Sequence, residues 1–330
     1  MDERKVVLKG TGIKQYFPVK GNNGSMKKVV KAVDGVDISI YEGEVYGLVG
    51  ETGCGKSTLG RTLIRLLDPT GGTVEVMGHD ITKLNDKELI PYRREVQMVF
   101  QDPFTSLNRR KRVVDILMGV LDIHKIGKNK EERMELAMNM LHKVGLRPEH
   151  FYRFPHEFSG GQRQRIGIAR ALILDPNLIV CDEPVSALDV SIQAQIVNLM
   201  QDLREEEGIS YLFIAHDISI VRYISDRIGV MYLGHLMEEA ETNELFSNPL
   251  HPYTQALLSA VPHANPHISK ERIQLKGELP SPIDPPTGCV FHTRCPYATE
   301  LCSRKAPKMQ EITPGHRVAC LLHEKESEEE

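Results

Sequence analysis

Short apolar runs recur along the first two-thirds of the chain, each bounded by charged or turn-forming residues. Glu44-Val45-Tyr46-Gly47-Leu48-Val49, Val96-Gln97-Met98-Val99-Phe100, Leu178-Ile179-Val180-Cys181 and Tyr211-Leu212-Phe213-Ile214-Ala215 read as buried strands. Helical spacing fills residues 130–144 and 191–204. Continuously apolar strands separated by helices predict an α/β fold with a mostly parallel sheet covered on both faces. Residues 5–40 alternate instead, as in Val29-Val30-Lys31-Ala32-Val33, which predicts an antiparallel β flap. There is no internal repeat.

Composition changes the picture near residue 249. Eleven of the 19 prolines and four of the six cysteines fall from Pro249 onward. Proline at that density breaks regular elements. Residues 1–240 therefore read as one regular domain, and 241–330 as a smaller, loop-rich one. The formal net charge of −4 is matched by the charge of the last seven residues alone, so the body is near neutral. No global positive field draws it to nucleic acid, and the Glu-rich tail reads as solvated and disordered. No apolar run of about 18 residues is present to span a bilayer. The N-terminus lacks the apolar core of a signal peptide. The expected address is the cytosol, where disulfides are rare.

Gly50-Glu51-Thr52-Gly53-Cys54-Gly55-Lys56-Ser57 fits G-x-x-x-x-G-K-[ST], between a predicted strand and a helical run from Ser57 to Leu67. In that context the glycines let backbone N–H groups turn inward on phosphate oxygens, and the helix start adds partial positive charge. Lys56 is expected to bridge β- and γ-phosphates and Ser57 to ligate Mg²⁺, with Thr58 following in the loop. Asp182 and Glu183 end a strand whose C-terminus lies on the ligand edge of a parallel sheet. Asp182 is expected to face Mg²⁺, and Glu183 to hold a water as general base. Phe158-Ser159-Gly160-Gly161-Gln162-Arg163-Gln164-Arg165 opens another helix and reads as a second anion site. One chain seldom needs two such cradles, so this one is expected to serve an ATP held by a partner.

In order, these motifs resemble the ATP-binding cassette (ABC) ATPases over residues 5 to about 240. The phosphate loop corresponds to Walker A, Ser159-Gly160-Gly161-Gln162 to the signature with Phe158 in place of Leu, and Asp182 and Glu183 to Walker B and the catalytic glutamate. Gln101 matches the Q-loop glutamine, Ser186-Ala187-Leu188-Asp189 the D-loop, and His216 the switch histidine. Taken singly, Gln101 and His216 are ordinary strand-end polar residues. Tyr16 fits the aromatic that stacks on adenine. The resemblance implies a P-loop ATPase with a helical signature subdomain, two subunits sandwiching two ATP head to tail, and Mg²⁺ held by Ser57, Gln101 and Asp182. It implies that Gln101 passes closure to a membrane subunit and that His216 contacts the γ-phosphate.

The stretch from Asn248 to Leu258, with His251-Pro252-Tyr253-Thr254, resembles the oligopeptide/dipeptide-permease ATPases and is most like the F-type member of their D/F pair. That implies a peripheral subunit on the cytoplasmic face of the membrane. Its partners would be a second ATPase (a paralogue or itself), two integral permease subunits and, through them, an extracellular or periplasmic solute-binding protein. The ATPase would make no direct contact with cargo, and no nucleic acid is expected. Cys289, Cys295, Cys302 and Cys320 suit a metal or four free thiols by spacing alone. The resemblance implies a [4Fe-4S] cluster, with zinc the alternative and His292 a substitute ligand or an exposed side chain. Arg109-Arg110-Lys111-Arg112 reads either as a patch for lipid phosphates or an acidic membrane subunit, or as a solvated loop. Rival readings are a soluble ABC protein acting on nucleic acid or the ribosome, an iron–sulfur module with incidental hydrolysis, and an importer of another cargo such as nickel or sugars.

Overall fold

A computed structural model describes residues 4–19, 28–261 and 272–324. The Glu-rich tail beyond residue 324 lies outside the described residues. The strands are β1 (Val6–Val19), β2 (Lys28–Tyr41), β3 (Val45–Val49), β4 (Gly71–Val76), β5 (His79–Asp80), β6 (Val96–Val99), β7 (Leu178–Asp182), β8 (Ser210–Ile214), β9 (Arg227–Tyr232), β10 (His235–Glu241), β11 (Gln310–Thr313) and β12 (His316–Val318). The four predicted buried strands appear as β3, β6, β7 and β8, within a residue or two of the expected ends. The chain divides into two compact units.

The first unit gathers residues 4–8, 39–45 and 75–215. In it β6, β7 and β8 pair in parallel, Val96 opposite Leu178 and Leu178 opposite Ser210. Every residue of β7 and β8 is buried, which explains the apolar runs Leu178–Cys181 and Tyr211–Ile214 within them. Helices Val113–Ile123, Lys130–Lys143 and Gly160–Leu172 pack on one another. Lys130–Lys143 starts where the Asn129 side chain accepts from the Glu132 N–H at 2.8 Å, with acids in its first turn and His142 and Lys143 in its last. That arrangement complements the helix dipole. Helix Val190–Glu207 stops at Gly208, whose φ is 70°.

The second unit gathers the described residues within 9–38, 46–74 and 216–324. Here β3 pairs in parallel with β9, Tyr46 opposite Arg227. Strands β9 and β10 form a hairpin whose turn residues, Leu233 and Gly234, have φ of 43° and 79°. Two successive positive φ values match a turn that follows the natural strand twist. Strand β12 pairs antiparallel with β10, Glu238 opposite Val318, and β11 pairs with β12. The Pro-rich end of the chain is thus joined through backbone hydrogen bonds to the β9–β10 hairpin, whose strand β9 pairs with the one that feeds the phosphate loop.

Candidate nucleotide site

The phosphate loop lies in the second unit. It leaves the wholly buried β3 at Gly50 and re-enters regular structure at helix Lys56–Leu63. Gly50 has φ 151° and Gly55 φ 105°, and a Cβ would lie 2.2 Å from the Met231 carbonyl oxygen at Gly50 and 2.1 Å from that of Ala32 at Gly55. Neither position tolerates a side chain, for backbone conformation and for space. Lys56 is 4% exposed, and its ammonium donates to the carbonyls of Gly50 at 2.7 Å and Glu51 at 3.1 Å, with Cys54 Sγ at 3.7 Å. The helix it starts has no side-chain cap and no acid in its first turn. Its leading N–H groups therefore suit an anion, and a buried lysine beside them supplies the positive charge. Ser57 and Thr58 are half-buried, and the Thr58 carbonyl accepts from Thr62 Oγ1 at 2.7 Å. Cys54 is buried, and burial pushes its thiol up despite the pull of Lys56. It packs as a small side chain.

The first unit holds a separate group of the predicted residues. Asp182 is fully buried at the end of β7. Glu183 follows with φ 47°, uncommon for a residue with a side chain. Its N–H donates to the Ile214 carbonyl at 2.9 Å, and its carbonyl accepts from Ser186 Oγ at 3.1 Å. Gln101 Nε2 donates to Glu183 Oε2 at 2.9 Å. The strand end is held so firmly that the backbone strain persists, as strain does at functional sites.

The same unit carries the Ser159-Gly160-Gly161-Gln162 helix start. The Gln162 N–H donates to Ser159 Oγ at 3.3 Å and the Ser159 N–H to Gln162 Oε1 at 3.1 Å, a reciprocal capping box. The two glycines have a packing reason. A Cβ on Gly161 would lie 2.4 Å from Ile192 Cγ2, and one on Gly160 3.2 Å from Leu188 Cδ2. The signature helix therefore rests directly on residues 186–192. There Gln193 Nε2 donates to the carbonyls of Val185 at 3.1 Å and Leu188 at 3.0 Å, and Asp189 stays exposed. Gln193 was not singled out by its local pattern, since a helical Gln carries no signal of its own.

A model of the ABC transporter family matches residues 33–186, and a model of the oligopeptide/dipeptide transporter C-terminal region matches residues 237–302. The chain is 53% identical over 322 residues to the putative oligopeptide transport ATP-binding protein YkfD of Bacillus subtilis (strain 168), covering 97% of this chain and 96% of that one. It belongs to the ABC transporter family. It is 54% identical over 324 residues to the oligopeptide transport ATP-binding protein AppF of the same strain, covering 97% and 98% of the two chains. Among solved structures, the ATP-binding cassette MJ0796, a dimer in a post-hydrolysis state bound to ADP and Pi, is similar with a TM-score of 0.64 and 30% identity. That match covers 71% of this chain and 98% of the cassette. The chain is an ABC ATPase, and the α/β P-loop fold expected of it is the one observed.

Two other residues of this ABC ATPase were expected at the site, both in the second unit. The Tyr16 hydroxyl donates to Asp34 Oδ1 at 2.5 Å, and Lys31 Nζ lies 5.8 Å from the ring centroid. Burial and that hydrogen bond push the phenol up to about 12, so it stays a neutral ring of fixed orientation. His216 is exposed just ahead of helix Ile218–Ile224, which Asp217 caps through the Ser219 N–H at 2.8 Å.

The metal expected of the late cysteines does not survive the structure. Among the described residues no group of three or more His, Cys, Asp or Glu side chains is arranged to hold a metal ion. This removes the [4Fe-4S] cluster, and zinc has no support either. All six cysteines are free. Cys289, Cys302 and Cys320 are buried and Cys295 is half-buried. Burial pushes the thiols of Cys289 and Cys295 up and that of Cys320 up to about 11, with the neighbouring thiols adding to it. Cys302 Sγ instead lies 3.4 Å from the Thr299 N–H that donates to it. His292, the proposed substitute ligand, turns Nδ1 to the Cys289 carbonyl at 2.8 Å. The four late cysteines are free side chains, three of them buried.

The basic run 109–112 is exposed, with the Arg112 guanidinium 5.8 Å from the centre of the Phe154 ring.

Proposed function

We propose that this chain is the ATP-hydrolysing subunit of an importer for di- or oligopeptides, acting at the cytoplasmic face of the membrane. No helix among the described residues is long and apolar enough to cross a membrane. The match to the oligopeptide/dipeptide transporter C-terminal region and the printed names of the relatives support the cargo class. In this reading the partners are a second ATPase, a paralogue or a copy, two integral permeases and, through them, a solute-binding protein. The boundaries of the two matched regions support a C-terminal domain beginning near residue 241.

The uncapped helix start, the curled glycine backbone and Lys56 fit a triphosphate. Lys56 would exchange its loop carbonyls for β- and γ-phosphate oxygens, and the uncapped N–H groups at the start of helix Lys56–Leu63 would face them. Ser57, Gln101 and Asp182 offer oxygen donors of the hard kind Mg²⁺ prefers. Bound Mg²⁺ would neutralise charge on the phosphates. Glu183 orients the attacking water and accepts its proton. Gln101 has two ends: Nε2 holds Glu183, and Oε1 is the end that would ligate the cation. Tyr16 stacks on adenine, and His216 contacts the γ-phosphate. Ser159, Gly160, Gly161, Gln162 and Asp189 close on the ATP of the second ATPase.

The observation that carries the catalytic assignment is the Gln101–Glu183 hydrogen bond at a strained strand end. Glu183→Gln keeps the shape and removes the basic carboxylate. It is expected to bind ATP, to trap the closed dimer and to lose turnover by about a hundredfold or more, as removal of a positioned base does. Turnover at the native rate would remove Glu183 from that role.

A further inference from the structure

Glu51 is the only acid in the loop 50–57. A carboxylate within a cradle for a polyanion opposes the loop's own function by like-charge repulsion. The structure answers it from residues far along the chain. Arg294 Nη1 donates to both Glu51 carboxylate oxygens, at 2.9 and 3.0 Å, and the Arg294 side chain is 9% exposed. The Glu51 backbone N–H donates to the Tyr253 hydroxyl at 2.9 Å.

Both gripping residues are themselves held. Tyr232, Tyr253 and Phe291 are fully buried and stack edge-on or tilted, with centroids 4.8 to 5.4 Å apart. The guanidinium of Arg294 lies 5.8 Å from the Tyr232 centroid. Tyr253 is in the first turn of helix Pro252–Ser259, where its N–H donates to His251 Nδ1 at 3.0 Å. The Leu250 and His251 N–H groups donate to the buried Glu238 carboxylate at 2.7 and 2.9 Å. The His251-Pro252-Tyr253-Thr254 segment thus delivers a hydroxyl to the phosphate loop from a rigid anchor.

We infer that Arg294 and Tyr253 are positioning residues for nucleotide binding: together they neutralise and pin Glu51, so that the C-terminal region sets the affinity of the phosphate loop for MgATP. The inference rests on the proposed ATPase site. It separates the roles of the two partners. Arg294 cancels a charge that would repel the triphosphate, and Tyr253 fixes the backbone of the loop's second residue.

The test uses the full chain, with MgATP affinity read by displacement of a fluorescent ATP analogue and turnover by phosphate release. Arg294→Ala is expected to weaken MgATP about tenfold, or about 1.4 kcal/mol, by exposing the triphosphate to an unpaired carboxylate. In the Glu51→Gln background, where no carboxylate needs neutralising, Arg294→Ala should cost no more than about threefold. A merely structural Arg294 would cost as much in either background. Arg294→Lys and Tyr253→Phe, which keep charge and ring, should each cost about threefold and remain measurable if Arg294→Ala does not fold. Native-like affinity in Arg294→Ala overturns the inference, as does a loss from Arg294→Ala that is undiminished in the Glu51→Gln background. With an unfolded Arg294→Ala, native-like affinity in both Arg294→Lys and Tyr253→Phe overturns it. If the native chain itself bound no MgATP, the proposed function would fail instead.

Discussion

Gly161 is the place where one methyl group should separate nucleotide binding from turnover. A Cβ there lies 2.4 Å from Ile192 Cγ2, well inside the carbon–carbon contact distance of about 3.5 Å. Relief requires the signature helix and the start of helix Val190–Glu207 to separate by about 1 Å. Asp189 and Ile192 are joined by a backbone hydrogen bond of 2.9 Å, so movement of one carries the other. Overpacking of this kind costs about 1–3 kcal/mol. For a unit of this size that lowers the melting temperature by about 3–9 °C. A misplacement of about 1 Å in a catalytic assembly costs about a hundredfold in rate. The phosphate loop lies outside this contact, so MgATP affinity should stay within about twofold. Ile192 is only half-buried, so Ile192→Ala should cost little alone and should recover both melting temperature and turnover in the Gly161→Ala background. The assays are thermal unfolding, phosphate release and nucleotide binding on the same preparations. Gly161→Ala with native melting and native turnover would refute the packing argument, and so would a double variant with no recovery.

Gly55→Ala should abolish MgATP binding in an equilibrium assay while Gly53→Ala, whose added Cβ meets no atom within 4 Å, should retain measurable binding; equal loss in both would contradict the role of the Ala32 carbonyl contact. Stability should also depend on pH through two histidines. Burial lowers His316, but its bond to Glu238 at 2.7 Å, the charge of that carboxylate and Glu244 outweigh it and hold its pKa above the usual value. A raised pKa gives stabilisation that is complete below about pH 6.5 and lost as pH rises through the folded value. His251 is pushed down to about 4 by burial, so its contribution is complete above about pH 6.5 and declines by up to about 3 kcal/mol as pH falls towards 4. Chemical denaturation across pH 4 to 9 should show a maximum near 6.5, and a His316→Gln variant should lose the alkaline decline. A pH-independent midpoint would contradict both assignments.

The phosphate loop was legible because its chemistry is local: eight consecutive residues carry the glycines, the lysine and the hydroxyl, and the apolar runs on either side need no distant partner to be read. The same holds for β7 and β8, buried on every residue. What escaped was spatial. The reason for Gly161 is Ile192, which no local pattern indicates. Glu51 and Arg294 are 243 positions apart and meet only through the β9–β10–β12 pairing and the aromatic cluster. The cysteines misled for the complementary reason. Their spacing is a distance along the chain, whereas a metal requires thiolates converging on one point. Among the described residues no such convergence is present.

The central claim is that Gly50–Ser57 binds the triphosphate from one side and the Ser159 helix start of another ATPase completes the site from the other. An experimental structure of the Glu183→Gln protein with MgATP, in its assembled dimer, measures this directly. The account predicts Lys56 Nζ and the Ser159 hydroxyl of the opposing subunit each within hydrogen-bond distance of the same γ-phosphate. A triphosphate bound by the loop with the opposing Ser159 far from it would contradict the account.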